Sequence, residues 1–477
     1  MGSNTTRPAY GLYINGRQVS TKQTMDVLDK YTLQPAYTVA VAEKEHVHEA
    51  IAAARDAFKQ PLSPYERFSI LAKASALLKE RRQEFADTLA AEVGKPLRDC
   101  FGEVDRAAMT LLISAEEARR IHGQGVPVEA APGSENRMAF SIRVPVGVIA
   151  AITPFNAPLN LVCHKVGPAL AAGNSVVLKP SELTPVVALK LAELFADAGL
   201  PAGRLNVVTG DGPAIGACLV ESPLVNMFSF TGSVRVGLWL KQQAGLRKVS
   251  LELGNNSANI VHFDCDLDHA VEMVANKGFN TAGQVCISVQ RVYVHESVKE
   301  EFVSKLKART EAFVVGDPRD DRTDIGPMIA VKEAERVESW VREAIEQGAV
   351  LVTGGKREGA LYYPTILTEV KPDMKVCRQE IFGPVVAVDT YSQIDEVIAK
   401  VNDSDYGLQA GLFTRDLNFA MKAAKEIEVG GLIVNDASAY RVDHMPYGGV
   451  KNSGTGKEGP AYAIEEMTEE KLIVLNL

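Results

Sequence analysis

No C-x-x-C pair occurs anywhere in this 477-residue chain, and its six cysteines (Cys100, Cys163, Cys218, Cys265, Cys286 and Cys377) lie far apart. That spacing excludes a dense disulfide framework and the usual zinc sites, so no metal is expected, and it suits a reducing compartment. Basic runs are missing as well, and a formal charge of −9 argues against nucleic acid as a partner. The N-terminal MGSNTTRPAYGLYING lacks an apolar signal core and is not an Arg-rich amphipathic helix. One uncharged run, VPVGVIAAITPFNAPLNLVC, is long enough to span a bilayer. Pro145, Pro154, Pro158 and Asn156 argue instead for a buried strand followed by an irregular loop. Internal repeats, low-complexity tracts and long linkers are absent. What these absences leave is a cytoplasmic globular protein with no membrane partner.

The length predicts two to four domains. Residues 43–122 read as helices, because EKEHVHEAIAAARDAFKQ and SPYERFSILAKASALLKERRQEFADTLAAEVGK repeat apolar residues at helical spacing. From about 146, short β-rich runs alternate with helices: GVIAAIT, SVVLKP, LNVVTG, VNMFSFTG and KVSLELG. A second such series runs from SANIVHF near 257 to about 430. Apolar strands that each feed a helix imply parallel sheets covered on both faces. Residues 126–146 read as a two-stranded arm, and the tail EKLIVLNL as an unpaired apolar strand that another surface must cover.

Cys286 stands out in FNTAGQVCISVQR, among small uncharged residues with no charge before Arg291. On chemistry alone it could be core filler, a metal ligand, half of a disulfide or a nucleophile. Three segments compete for a dinucleotide. VVTGDGPAIG spaces Gly210, Gly212 and Gly216 one residue wider than the Rossmann fingerprint, and reads equally as a tight turn. In FTGSVRVG, Gly232 makes a turn and Ser233 is placed to N-cap the helix that Val234 begins, whose free amides and positive end would suit a pyrophosphate. In VVLKPSELTP, Lys179 ends a strand, and Glu182 is placed to accept from a ribose hydroxyl and repel a 2′-phosphate. Taken singly, that pair reads as readily as a strand-end lysine and a capping glutamate.

TPFNAPL, KPSELTP, FTGSVRVG, LELGNNSAN, GQVCISVQR, EIFGPV and PYGGVKNSG follow one another in this order, and together they resemble the aldehyde dehydrogenase superfamily over nearly the whole chain. The resemblance implies an α/β protein of two doubly wound parallel-sheet domains and a small β oligomerisation arm. The NAD-binding domain would take residues 1–125 and 147–253, the catalytic domain 254–445, and the arm with the C-terminal strand 126–146 and 462–477. A homodimer or homotetramer is implied. Cys286 would be the nucleophile, Asn156 an oxyanion donor together with the Cys286 backbone N–H, and Glu252 the base that hydrolyses a thioester. For the cofactor, the resemblance supplies Thr153, Pro154 and Phe155 ahead of Asn156, then Lys179, Ser181 and Glu182. Phe230, Thr231, Gly232 and Ser233 follow, with Gly212 as a secondary contact. Leu253 and Gly254 also face the cofactor, and Glu380 and Phe382 fall to the nicotinamide ribose and ring. NAD is favoured over NADP. One departure is Asn255-Asn256-Ser257, where the family commonly continues with a second glycine, often then Lys and Ser. Asn tolerates left-handed backbone angles, and cofactor geometry there is expected to differ.

Within the family the chain resembles the branch acting on small polar aldehydes such as lactaldehyde and phosphonoacetaldehyde. Arg106, His164 and Arg441 would line a cationic substrate pocket, since a guanidinium fork binds two oxygens of an anionic group. Phosphonoacetaldehyde, a sulfo-aldehyde, succinate semialdehyde and glyceraldehyde 3-phosphate are then the candidates, with lactaldehyde the neutral competitor. The alternative pairs Arg106 with Glu103 and Arg441 with Asp443, and leaves His164 a satisfied buried histidine. A coenzyme A-acylating enzyme usually lacks a glutamate at Glu252, and a retired, purely structural member would not need Cys286, Glu252 and Asn156.

Overall fold

The computed structural model describes residues 7–477, and the first six residues of the N-terminal segment read above lie outside them. The helical stretch resolves into α1 (Lys44–Phe58), α2 (Pro64–Glu80), α3 (Arg82–Val93) and α4 (Leu97–Ala118). α2 starts where it does because Ser63 Oγ accepts the Glu66 N–H at 3.3 Å while Glu66 Oε2 accepts the Ser63 N–H at 2.7 Å. That reciprocal cap, with Pro64 in the first turn, satisfies donors the helix itself cannot. α4 buries Val104, Ala107, Ala108, Leu111 and Ala115 on one stripe, and its alanines allow close approach to the helix after Asn156. Burying Leu111 alone contributes about 2 kcal/mol.

Five strands, β1 (Val148–Ile152), β2 (Ser175–Lys179), β3 (Leu205–Val207), β4 (Met227–Thr231) and β5 (Lys248–Glu252), alternate with four helices. The helices are α5 (Asn160–Ala171), α6 (Val186–Asp197), α7 (Gly212–Glu221) and α8 (Val234–Ala244). The strands lie in the order β5-β4-β1-β2-β3 with every neighbour parallel, and β1 and β2 are buried along almost their whole length. Both edges were invisible to strand–helix alternation. Leu12–Ile14 pairs antiparallel with β3 and with Arg17–Val19 beyond it, and Gly454–Thr455 pairs antiparallel with β5, which turns a five-stranded parallel core into a mixed eight-stranded sheet. A Cβ on Gly454 would lie 2.0 Å from the Leu251 carbonyl oxygen, so only glycine lets this returning loop reach β5.

The second series contains β6 (Ala258–Val261), α9 (Leu267–Phe279) and β7 (Arg291–His295). Its seven-stranded sheet is parallel except at the Val350–Thr353 edge. The arm differs from expectation. The tail strand Thr468–Asn476 has an intrachain partner: it pairs antiparallel with Arg137–Pro145 over nine residues, from Thr468↔Pro145 to Asn476↔Arg137. Residues Gly125–Val126 complete a three-stranded sheet on the other side. The tail is therefore paired on one edge; its exposed Leu472, Val474 and Leu475 remain at the surface.

Candidate active site

Cys286 sits between α9 and β7, after a backbone segment in which Thr281, Ala282 and Gly283 all take left-handed angles. Three such residues in a row cost strain, which the surroundings hold in place. A Cβ on Gly283 would fall 2.1 Å from the Gly383 carbonyl oxygen, so the thiol loop is pressed against the EIFGPV segment. Gln284 fastens the other side, its Oε1 accepting the Ile329 N–H at 3.0 Å and its Nε2 donating to the Thr281 carbonyl at 3.1 Å. Asn156, buried in the loop after β1, donates from Nδ2 to the Gln284 carbonyl at 2.9 Å. Two groups expected to meet at one carbonyl are therefore neighbours. The Cys286 Sγ lies 2.9 Å from the Tyr447 hydroxyl. Burial pushes this thiol up to about 12, against the lowering effect of Tyr447 and of the Arg441 charge.

Glu252 ends β5, buried, with no hydrogen-bond partner for either carboxylate oxygen. Burial and then the negative charge of Glu458 raise its pKa well above the usual carboxylate range. Glu458 itself goes the other way. Burial pushes it up, but Lys165 (3.1 Å) and Arg441 (2.8 Å) more than offset that and hold it ionised. Two neighbouring buried carboxylates are thus held in opposite protonation states, Glu458 by its ion pairs and Glu252 by the lack of one.

The dinucleotide segments also separate. At α7, Asp211 already caps the helix, its carboxylate accepting the Ala214 N–H at 2.9 Å. At α8, Ser233 makes no cap bond, so that end keeps free amides for an anion. The Lys179 ammonium lies 2.9 Å from Glu182 Oε2 and would come within 3.4 Å of a Cβ on Gly212. Burial acts to raise Glu182, and Lys179 more than compensates, so Glu182 is ionised. Ser181 Oγ is spent on the Leu183 N–H at 3.2 Å, whereas Thr153 Oγ1 is buried with no partner. Phe230 is packed beneath Gly232, where a Cβ would meet its ring at 2.6 Å, and Thr231 Oγ1 reaches Glu458 at 3.4 Å. Leu253 donates its N–H to the Ser453 carbonyl at 2.9 Å. A Cβ on Gly254 would strike Glu380 Oε2 at 2.6 Å, while Glu380 Oε1 accepts the Asn255 N–H at 2.9 Å. Phe382 holds a left-handed φ of 45° and meets Phe155 edge to face, with ring centres 5.8 Å apart. Pro154 lies between Thr153 and Phe155 in the same loop. A small cleft lined by Gly283, Val285, Asn255, Glu380 and Phe382 joins these pieces to the thiol loop.

The Asn255-Asn256 departure has a structural explanation. Asn256 Nδ2 donates to the Cys377 carbonyl at 2.9 Å and its Oδ1 accepts from Ser404 Oγ at 2.8 Å; Asn255 Nδ2 donates to Ser257 Oγ at 2.6 Å. Neither residue has a positive φ, so left-handed tolerance is not what selects asparagine here. The pair ties the turn to the segment leading into Glu380.

Arg106 on α4, His164 on α5 and Arg441 do converge, but with partners different from either reading of the sequence. Arg106 clamps Asp443 with two contacts of 2.8 and 3.2 Å, not Glu103. Glu103 is bound to Lys95 and accepts the Leu159 and Asn160 N–H groups, fixing the start of α5. Arg441 pairs with Glu458, not Asp443, and its Cζ lies 3.7 Å from the Tyr447 ring centre. His164 Nε2 lies 2.9 Å from Asp443 Oδ1, which places its proton on Nε2; burial and then Arg441 lower its pKa, so the ring is neutral. His164 Nδ1 and Arg441 Nε are buried without a protein partner. Sequence reasoning missed Tyr447, Glu458 and Lys165, and knew Asp443 only as a partner for Arg441. The signal available was HK in the middle of the otherwise apolar α5, where every residue is buried.

The aldehyde dehydrogenase family profile matches residues 17–473. A 3-sulfolactaldehyde dehydrogenase of Priestia aryabhattai is 68% identical over 477 residues, covering 100% of both chains. A lactaldehyde dehydrogenase of Methanocaldococcus jannaschii is 39% identical over 472 residues, 98% of this chain and 100% of that one. Among solved structures, aldehyde dehydrogenase 21 from Physcomitrella patens, in complex with the reaction product succinate, superposes with a TM-score of 0.96 at 38% identity and covers 99% of each chain. With the thiol loop, the buried glutamate and the amide donor assembled at one place, these matches leave one conclusion: the chain belongs to the aldehyde dehydrogenase family and is an aldehyde-oxidising enzyme.

Proposed function

We propose that the chain oxidises a short aldehyde with an anionic tail, 3-sulfolactaldehyde foremost, to the free carboxylic acid with NAD as acceptor, NADP being the less favoured cofactor. The observation that carries the substrate reading is the pair of unpartnered buried atoms, Arg441 Nε and His164 Nδ1, in a cluster where three cations (Arg106, Lys165, Arg441) face two carboxylates (Asp443, Glu458). A spare guanidinium N–H suits a sulfonate, and the neutral imidazole nitrogen accepts from a neighbouring hydroxyl. The 68% identity to a 3-sulfolactaldehyde dehydrogenase supports the same choice.

Cys286 Sγ, having given up its proton, adds to the carbonyl carbon, and the carbonyl electron pair moves onto oxygen, where the Asn156 amide stabilises it. Lys179, Glu182, the start of α8 and Glu380 would hold NAD, which would supply the acceptor for the hydride that leaves that carbon. The acyl group remains on Sγ as a thioester. Glu252 in its ionised form removes a proton from water, the oxygen adds to the acyl carbon, and the C–S bond breaks to release the acid and the thiolate. The ionised Glu182 favours a ribose hydroxyl over a 2′-phosphate, and the uncapped α8 takes the pyrophosphate. Residues 1–125 and 147–253 hold the cofactor and 254–445 carry the thiol; the returning 454–455 strand adds to the cofactor sheet.

The substrate test is a kinetic panel on wild type, Arg106→Ala and Arg441→Ala. Losing a charged contact should lower kcat/KM for 3-sulfolactaldehyde about ten- to a hundredfold in either variant. Propanal should be nearly unchanged in Arg106→Ala but slower in Arg441→Ala, because the Arg441 charge also favours the Cys286 thiolate. Equal losses on both aldehydes in Arg106→Ala would reduce that arginine to scaffold and return the choice to lactaldehyde.

For assembly, we propose that the three-stranded arm joins a second copy, giving a homodimer or homotetramer. Exposed Met138, Ile142 and Leu475 share one face of its paired strands and exposed Leu472 and Val474 the other, and apolar side chains bare on both faces support this because they need cover. Light scattering at micromolar concentration should read a mass at least twice 51.5 kDa. A monomeric mass would refute the assembly.

A further inference from the structure

Tyr447 has no part in the chemistry above, yet its hydroxyl lies within hydrogen-bond reach of the reacting sulfur. It is buried, and backbone hydrogen bonds to Glu458 in both directions hold its chain segment in place. One face of its ring carries the Arg441 guanidinium at 3.7 Å, and that guanidinium is anchored on Glu458. The phenol therefore has a fixed ring, a fixed chain and a single free function, its O–H, 2.9 Å from Sγ.

We propose that Tyr447 is a further catalytic residue of the oxidation, donating its hydrogen bond to Cys286 Sγ so as to stabilise the thiolate. The inference rests on Cys286 being the nucleophile. Burial keeps the phenol protonated, so once the thiol has lost its proton the only hydrogen between the two atoms belongs to Tyr447, and the bond becomes charge-assisted. No proton passes to or from Tyr447. When Sγ bonds to the acyl carbon its charge disappears and the bond weakens; when the thioester is hydrolysed the departing thiolate regains it. The same O–H thus assists attack and departure. Around Sγ, Tyr447 and Arg441 favour the thiolate while Glu380 and Glu252 oppose it, so the cationic cluster that would hold the substrate's anion also supports the nucleophile through the phenol ring.

The test is the second-order rate of iodoacetamide alkylation of Cys286 in the full-length enzyme, from pH 7 to 10, for wild type, Tyr447→Phe and Cys286→Ala. Removing one hydrogen bond to a thiolate should raise the thiol pKa by about one to two units, which lowers the whole rising pH–rate limb. The more basic sulfur is also more nucleophilic, so the rate at pH 8 should fall only about three- to fifteenfold. Thermal melting and NAD affinity should stay near wild type. Should Tyr447→Phe fail to fold, 3-fluorotyrosine at position 447 keeps the ring and strengthens the donor, and should speed alkylation. An unchanged limb, or faster alkylation by Tyr447→Phe, would overturn the proposal, the latter showing that the hydroxyl only shields the sulfur. Cys286→Ala separates the two readings. If it still oxidises aldehydes, the nucleophile assignment fails; if it is inactive while Tyr447→Phe matches wild type, only the role of Tyr447 fails.

Discussion

Cys286→Ala should lose NADH formation by about 10⁴-fold or more, because no other group on the loop can form the covalent bond to the aldehyde. Cys100, Cys163, Cys218 and Cys377 are buried and Cys265 half-buried, and none of them stands on the Thr281–Gln284 loop that the Asn156 amide contacts. The substitution removes one sulfur and leaves the turn intact. The left-handed backbone of Thr281–Gly283, the Gln284 contacts and the Asn156 amide do not depend on Sγ. NAD titration by fluorescence should therefore give an affinity within about twofold of wild type, since the cofactor segments are anchored elsewhere. Retained turnover in Cys286→Ala would remove the covalent route altogether.

Glu252→Gln should behave differently in time. The first hydride transfer proceeds, so rapid mixing with NAD and aldehyde should show a burst approaching one NADH per site. Turnover should then slow by about 10²–10⁴-fold, the usual contribution of a positioned base. Mass spectrometry of the stalled enzyme should find the acyl group on the Cys286 peptide. The pH dependence has a definite sign. Burial and Glu458 raise the pKa of Glu252, so its basic form is scarce at low pH and grows as pH rises. Wild-type hydrolysis should speed up with pH on a limb that Glu252→Gln lacks. Steady turnover of Glu252→Gln at the wild-type rate, with no acyl-enzyme, would assign the base elsewhere.

How the chain divides into elements was legible because those signals are local. A strand such as Ser175–Lys179 followed by an apolar helix shows in a window of about ten residues, and a parallel sheet follows from many such windows. The start of α8 at Val234 was readable in FTGSVRVG, but the cap expected from Ser233 is not made, because its hydroxyl does not turn back onto the first helical amides. The added strands Leu12–Ile14 and Gly454–Thr455 were not, because two or three residues have no period, and only pairing with β3 and β5 makes them strands. The tail strand looked unpaired for the same reason: its partner at 137–145 lies more than three hundred residues away.

The site divides along the same line. By itself the sequence determined the family, the thiol in its small-residue loop, the glutamate at the end of β5 and the asparagine after β1, because each stands in a short ordered motif. It also placed Arg106, His164 and Arg441 near one another. Only the tertiary structure decided how their charges are spent. Arg106 meets Asp443 across 337 residues, Lys165 meets Glu458 across 293, and Cys286 meets Tyr447 across 161. No local pattern encodes such pairs, since a carboxylate's partner depends on which elements the packed core brings within hydrogen-bond reach. The protonation of Glu252, Glu458 and Cys286 follows from burial and those long-range neighbours, and so exists only once the chain has folded.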